Sequence, residues 1–309
     1  MQKQIKNYFS EPIKSIIDNL DKRFFLDIQE IRLRVNKNLI IKNKNNYFSV
    51  DKNNKITRDI FSGIIIRKLY IEETLEILFE YSGYAFENEI SNGFITINGG
   101  HRVGLCGEVV IENKKIKTIK NISSLNFRIA HEFKGISDKI IKYIFIDDEI
   151  KNTVIISPPG CGKTTILRDI IRNISFKKNV CVIDERSEIA ACYNGEIQND
   201  LGSQVDVFDR CNKELGMKIA LRTMSPDVIA FDEIGSENDF ENIKYIKNSG
   251  VKIICTAHGE NIEDIKLNFC LDNSRNKKIF ERYIFLYKKK LGIIKNIFDE
   301  NLGKVFYER

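Results

Sequence analysis

The sequence predicts an α+β domain followed by an α/β domain built on a mainly parallel sheet. Three observations carry that prediction. The first third of the chain packs short alternating runs close together with turn residues between them, as an antiparallel sheet requires. From about residue 150 onward, apolar strand-like runs alternate with helical repeats, the pattern of a parallel sheet. Where the two patterns meet, residues 153–165, T-V-I-I-S-P-P-G-C-G-K-T-T, join a buried strand to a helix through a glycine-bearing loop. The boundaries are set at 1–135 for the N-terminal α+β domain, 136–151 for a linker and helix, and 152–309 for the α/β domain.

In the first domain, residues 13–20 form a short helix candidate. Residues 30–35 alternate, with Ile31, Leu33 and Val35 on one face and Arg32 and Arg34 on the other. Short strands follow at 39–41 and 47–50, then a helix at 72–84 with Leu75, Ile77, Leu78 and Phe79 as its apolar side. Further strands are expected at 94–97, 103–111, 116–119 and 125–130. Two stretches stand out, G-G-H-R-V-G-L-C-G at 99–107 and S-S-L-N-F-R-I-A at 123–130. Taken alone, these read as a glycine-rich hairpin and a strand with a solvent-facing arginine. Glycines beside Arg102 would let its strand approach another surface closely.

Residues 136–146 are expected to be helical and lead to a charged turn at 147–152. The strand at 153–156 is β-branched throughout, as a strand buried on both faces would be. Pro158, Pro159, Gly160 and Gly162 end it, and Ile166, Leu167, Ile170, Ile171 and Ile174 then recur at helical spacing. Strands at 180–183, 228–231 and 251–256 alternate with helices at 212–224 and 240–247, with a polar loop at 193–205. The tail from residue 280 reads as short strands, 282–287 and 292–297, added to the sheet or its edge.

The loop binds phosphate by simple physics. Glycines let backbone N–H groups curl around an anion, and the helix N-terminus adds a positive dipole end. The candidate contacts are Ser157, Pro158, Pro159, Gly160, Cys161, Gly162, Lys163, Thr164 and Thr165. Lys163 would reach the outer phosphates, and the Thr164 hydroxyl would hold Mg2+. Ser157 stands where this pattern usually opens with Gly, but the spacing to Gly162, Lys163 and Thr164 is intact, and Ser is a tolerated turn residue.

Other polar clusters sit at the predicted C-terminal ends of strands, where open parallel sheets bind ligands. V-I-A-F-D-E at 228–233 places Asp232 to hold Mg2+ through water and Glu233 to orient or deprotonate an attacking water. That acidic pair separates a hydrolase from a small-molecule kinase. Asp184, Glu185 and Glu188 offer a second acidic face, and His258 in T-A-H-G at 256–259 is placed to sense the outer phosphate. Arg222 precedes the turn T-M-S-P-D that leads into the Asp232 strand; its plain alternative is a surface helix residue.

Bulk properties exclude several classes. The chain has 309 residues, 42% hydrophobic and 30% charged, and a formal net charge of +6 spread along its length. That is a soluble, globular balance without a dense basic stripe for nucleic acid. Its seven cysteines include no C-x-x-C pair, and with three histidines a zinc cluster is not expected. No secretory signal and no membrane span are visible, so a cytoplasmic protein is expected, docked at a membrane through partners if at all.

Taken together, the phosphate loop, D-E-R-S-E, A-L-R-T-M-S-P-D-V-I-A-F-D-E-I-G and T-A-H-G resemble the stage III sporulation protein AA family of secretion-type ATPases, relatives of the type II and type IV secretion and pilus motors. The two first-domain motifs extend the resemblance over most of the chain. The resemblance implies a small N-terminal α+β domain hinged to a RecA-like P-loop (Walker A) ATPase domain, with ATP and Mg2+ as ligands. It implies assembly as a homo-oligomeric, hexameric ring and partners in a membrane channel or export apparatus, in this family the channel between mother cell and forespore. Site roles carry over to Asp232, Glu233 and His258, to the acidic pair Asp184 and Glu185 with either carboxylate open to face the metal, and to Arg102 and Arg128 as arginine fingers, with Arg222 as a further contact. Many secretion motors have Gly where Asp232 stands, so this chain is closer to general P-loop ATPases there. Two other classes stay open on the residues alone: a nucleic-acid-stimulated RecA-like motor, and a nucleotide-binding scaffold with little turnover.

Overall fold

Seven strands make the sheet of the first unit: β1 (Ile28–Arg34), β2 (Ile40–Asn43), β3 (Asn46–Val50), β4 (Ile56–Thr57), β5 (Phe94–Ile97), β6 (His101–Glu112) and β7 (Lys115–Arg128). Every pair is antiparallel, in the order β4-β3-β2-β1-β7-β6-β5. The computed structural model describes residues 5–80, 90, 93–264, 279–288 and 292–307. It divides into two compact units, Met1–His131 and Glu132–Arg309. Helices α1 (Ile13–Asn19), α2 (Lys22–Leu26) and α3 (Lys68–Glu80) complete the first unit. The end of the helix expected at 72–84 and Cys270 lie outside the described residues. The alternation in β1 sets its faces: Ile31 and Leu33 are fully buried, in one core with Ile17, Phe9 and Phe127.

The two strands expected at 116–119 and 125–130 are one continuous strand. The polar residues between them read as a break, but a bulge keeps the ladder going. The register against β6 shifts between Cys106 and Glu108. Gly107 sits there with its Cα so close to β7 that a Cβ would lie 2.6 Å from the Lys120 carbonyl oxygen, and Asn121 takes a left-handed φ of 49°.

The second unit opens with the short helix α4 (Ile141–Ile144) and a small hairpin, β8 (Phe145–Ile146) and β9 (Glu149–Ile150). A longer helix was expected at 136–146. Residues 134–140 form turns instead, with Gly135 N, Ser137 N and the Ser137 hydroxyl donating to Asp169 at 3.0, 2.8 and 2.8 Å, and Phe145–Ile146 enter the hairpin.

An eight-stranded sheet follows, built from β10 (Thr153–Ile156), β11 (Val180–Asp184), β12 (Val205–Asp209), β13 (Val228–Ile234), β14 (Lys252–Ala257), β15 (Arg282–Leu286), β16 (Ile294–Asp299) and β17 (Lys304–Tyr307). Its order is β12-β11-β13-β14-β10-β15-β16-β17. The ladder is parallel from β12 to β15 and antiparallel for the last two strands. Strand β12 is not expected from the sequence, because Asp206 and Asp209 break its apolar run. It is tolerated at the sheet edge, where only β11 pairs with it.

Among the described residues, three helices cover this sheet: α5 (Lys163–Ile174), α6 (Lys213–Thr223) and α7 (Glu237–Asn248). Ile155, Val182, Ala230 and Ile254 share one core with Ile166, Leu167, Ile170 and Ile171 of α5. Val154, Ile156, Ile183, Ile229 and Phe231 face the other way, into a core with Met217, Phe240, Ile243 and Ile246 of α6 and α7. Both faces of each central strand are therefore apolar, which is why these strands read as unbroken hydrophobic runs.

Candidate active site

The C-terminal ends of β10, β11, β13 and β14 share one rim of the parallel sheet, and polar residues concentrate there. Strand β10 is buried throughout and passes directly into the loop that carries Gly160 and Gly162. Both glycines have positive φ, 74° and 91°, the conformation the curl demands. A Cβ on Gly160 would meet no atom within 4 Å, so φ alone accounts for the glycine. Ser157 is not among the positive-φ residues. It therefore needs no glycine, and its N–H instead continues the ladder to Ala257 O at 3.3 Å. The loop's other flank is held by the tail: the Cys161 thiol donates to Lys288 O at 3.4 Å, and Gly292 N donates to Cys161 O at 2.9 Å. Pro159 and Gly160 are exposed, and Pro158, Thr164 and Thr165 are half-buried.

Lys163 opens α5 with its side chain folded back over the loop. Its ammonium donates to Ser157 O at 2.9 Å, Pro158 O at 3.3 Å and His258 Nδ1 at 3.1 Å. Burial pulls its pKa below the usual lysine range, against the opposing pull of Asp232 and Glu233. Because an ammonium can only donate, His258 Nδ1 accepts. The proton then lies on Nε2, which donates to Glu233 Oε1 at 2.7 Å. The other Glu233 oxygen accepts from Arg186 Nη1 at 3.0 Å.

Asp232 is held between two hydroxyls. Thr164 Oγ1 donates to Asp232 Oδ2 at 2.6 Å, and the buried Thr256 hydroxyl donates to Asp232 Oδ1. The Thr256 oxygen also accepts from Glu233 N at 2.9 Å. One contiguous hydrogen-bonded set thus links the start of α5 with the ends of β13 and β14: Lys163, His258, Glu233, Thr256, Asp232 and Thr164. Among the described residues no cluster of three or more His, Cys, Asp or Glu side chains forms a cage for a metal ion. Thr164 Oγ1 and Asp232 are hard oxygen donors side by side, a set that fits Mg2+ sharing its remaining ligands with phosphate and water.

Asp184 and Glu185 separate in role. Asp184 is 2% exposed and accepts from the backbone N–H groups of Glu188, Ile189 and Ala190 at 2.8–2.9 Å. Burial raises its pKa, partly offset by those bonds. Its carboxylate shapes the turn after β11. Glu185 Oε1 accepts from Lys213 N at 2.9 Å. A polar cavity of about 450 Å3 lies beside this group, lined by Glu185, Arg186, Lys213, Glu233 and Asp239 among others.

The family model for sporulation stage III, protein AA, matches residues 1–305 of the chain. The chain belongs to that family. Stage III sporulation protein AA of Bacillus subtilis (strain 168) is 35% identical over 307 residues, which covers 96% of this chain and 95% of that protein. Among solved structures, the pilus retraction motor PilT with bound ADP aligns with a TM-score of 0.56 and 14% identity, over 89% of this chain and 76% of that one. The ATPase DotB of Yersinia pseudotuberculosis aligns with a TM-score of 0.57 and 15% identity, over 90% and 75%. At those identities the likeness speaks for the fold, that of the RecA-like secretion ATPases. No helix among the described residues is long and apolar enough to cross a membrane.

The arginines carried over from this family are placed differently from the rim residues. Arg102 and Arg128 belong to the first unit, where they are direct cross-strand partners on β6 and β7. The Arg102 guanidinium lies over the Phe94 ring, 4.8 Å from its centroid, and Arg128 is exposed. Arg222 is exposed in the last turn of α6, whose first turn holds Lys213 at the rim. Eleven residues at 1.5 Å each put the two ends about 15 Å apart. From Arg222 the chain enters the N-terminal end of β13, so within this unit Arg222 is not gathered with the other site residues. Sequence reasoning missed Arg186, Lys213 and Thr256. Arg186 lies inside D-E-R-S-E and Thr256 begins T-A-H-G, so their motifs pointed to them. No local signal singled out Lys213.

Proposed function

We propose that this protein is a secretion-type ATPase that binds and hydrolyses ATP and energises a membrane-associated channel. The observation that carries the reading is the contiguous set of Lys163, His258, Glu233, Thr256, Asp232 and Thr164 at the rim of a RecA-like sheet. In this reading the backbone N–H groups of the loop from Gly160 to Thr165 cradle the phosphates at the N-terminus of α5. Lys163 supplies a positive charge to the outer phosphates. Thr164 and Asp232 would hold Mg2+, whose charge offsets that of the phosphate oxygens. Glu233 accepts the proton of the attacking water, and His258, bonded to both Lys163 and Glu233, links the state of the outer phosphate to the water-activating carboxylate. Arg102 and Arg128 act as arginine fingers. Guanidinium suits that role because it is always charged and pairs with phosphate bidentately. Glu185 supports the acidic side of the rim, and Arg222 serves as a further contact.

Family membership supports a ring of identical subunits, six in number, working from the cytoplasmic face through protein partners on the channel between mother cell and forespore during sporulation. The test is steady-state phosphate release alongside ATP binding. Lys163→Ala is expected to abolish hydrolysis. Glu233→Gln is expected to retain ATP binding and to lose about a hundred-fold or more in kcat. Wild-type turnover in Glu233→Gln would overturn the assignment of the water-activating residue.

A further inference from the structure

We infer that Lys213 is a positioning residue for Glu233, holding the backbone turn from which the Glu233 carboxylate projects. This rests on the reading of Glu233 as the water-activating group. Glu233 has φ of +57°, a left-handed conformation that L-residues seldom adopt, at the end of an otherwise regular strand. The register between β13 and β14 shifts between Phe231 and Ile234. A turn of this kind persists only when its surroundings hold it.

Both peptide groups of Glu233 are held. Its N–H donates to Thr256 Oγ1 at 2.9 Å, and its carbonyl accepts from Lys213 Nζ at 2.6 Å. With the backbone fixed at each side, the carboxylate reaches His258 Nε2 and Arg186 Nη1. Lys213 is itself well anchored. Its side chain is 16% exposed, with Asp239 Oδ1 at 3.4 Å and Glu185 Oε2 at 3.6 Å. Its own N–H donates to Glu185 Oε1. Asp239 in turn closes the capping box of α7 with Ser236. Lys213 therefore ties the first turns of α6 and α7 to one carbonyl on the catalytic edge of β13. Its ammonium contacts that carbonyl and two carboxylates. Among the described residues, its hydrogen bonds and ion pairs go to the Glu233 carbonyl, Glu185 and Asp239 rather than to Asp232, Thr164 or the loop. Its influence on the reaction thus passes through Glu233.

A bland alternative is charge balance: Lys213 could merely neutralise Glu185 and Asp239. The two ideas separate experimentally. Lys213→Met in the full chain is expected to lower kcat for ATP about a hundred-fold, as misplacement of a reacting group does, while KM and binding of a fluorescent ATP analogue stay near wild type. Lys213→Arg, which can still donate to the carbonyl, should recover part of the loss. In a Glu233→Gln background the same Lys213→Met change should cost nothing further, because the carboxylate that the held turn positions is gone. Retained binding of the analogue shows that the variant folds. Wild-type kcat in Lys213→Met, an equal loss in the Glu233→Gln background, or full rescue of Lys213→Met by Glu185→Gln would each overturn the positioning role and leave the ATPase reading standing. A wild-type chain that binds no ATP would remove both.

Discussion

The rim of the second unit and the β6–β7 pair of the first carry the residues expected to meet nucleotide, but they are organised in opposite ways. At the rim, each side chain is already held. Lys163 has three acceptors, Asp232 two hydroxyl donors and Glu233 four partners counting its backbone. On the first unit, Arg102 rests on an aromatic ring and Arg128 is exposed. The difference teaches what parallel topology does. Strand ends that converge on one edge bring distant sequence segments within hydrogen-bond reach. An antiparallel ladder sets Arg102 opposite Arg128 on neighbouring strands and gathers no segment beyond those two.

The largest test of that contrast is to remove the arginines. Arg102→Ala and Arg128→Ala are each expected to lower ATP turnover about a thousand-fold, the scale of an arginine finger, with the thermal unfolding midpoint unchanged. A large fall in that midpoint would instead make them structural residues of the sheet and erase the contrast.

A smaller effect probes how the same pair of strands is held. His101 is 2% exposed and its Nδ1 accepts from Ala130 N at 3.0 Å. Burial pulls its pKa from 6.5 down to about 4. Above pH 6.5 the ring is neutral in folded and unfolded chains, and its contribution is fully present. As pH falls from 6.5 toward 4, the unfolded chain takes up a proton that the folded one refuses, so stability is lost, by about 3 kcal/mol at the lower end. Hydrogen exchange of the β6 and β7 amides against pH should show this slope, and His101→Gln should flatten it. An unchanged slope in the variant would assign the acid sensitivity to other groups.

The smallest expected effect concerns the bulge. Gly107→Ala places a methyl against the Lys120 and Asn121 carbonyls and is expected to destabilise the first unit by about 2 kcal/mol, read by urea unfolding. Turnover per folded molecule should fall little, because the bulge lies several residues from Arg102 along β6.

Much of the site was legible because its chemistry is local. Gly160 to Thr165 is one uninterrupted segment, with Gly160 and Gly162 at the positive φ a tight loop needs, so it reads without knowledge of the fold. Asp232-Glu233 and Thr256–His258 were readable as strand ends, since a buried parallel strand shows as an apolar run that stops at polar residues. Thr256 was passed over within its motif because a threonine at a strand end has no chemistry until Asp232 stands beside it. Asp184 and Glu185 looked interchangeable by type. Three backbone N–H groups on Asp184 and the Lys213 N–H on Glu185 tell them apart. Only residues 141–144 of the helix expected at 136–146 form, because Phe145 and Ile146 pair with Ile150 and Glu149 in a hairpin and the preceding residues turn, contacts that helical periodicity does not announce.

The sequence by itself determined the class of both units and the glycine loop between β10 and α5, because hydrophobic periodicity and glycine placement act over a few neighbouring residues. Tertiary structure alone decided which polar residues became partners. Lys213 meets the Glu233 carbonyl across twenty positions, and Lys163 meets His258 across ninety-five. Those pairings depend on strand order and register, which are settled by burying both faces of the sheet at once. The left-handed turn at Glu233 belongs to the same category: no local propensity asks for it, and the contacts with Thr256 and Lys213 hold it in place.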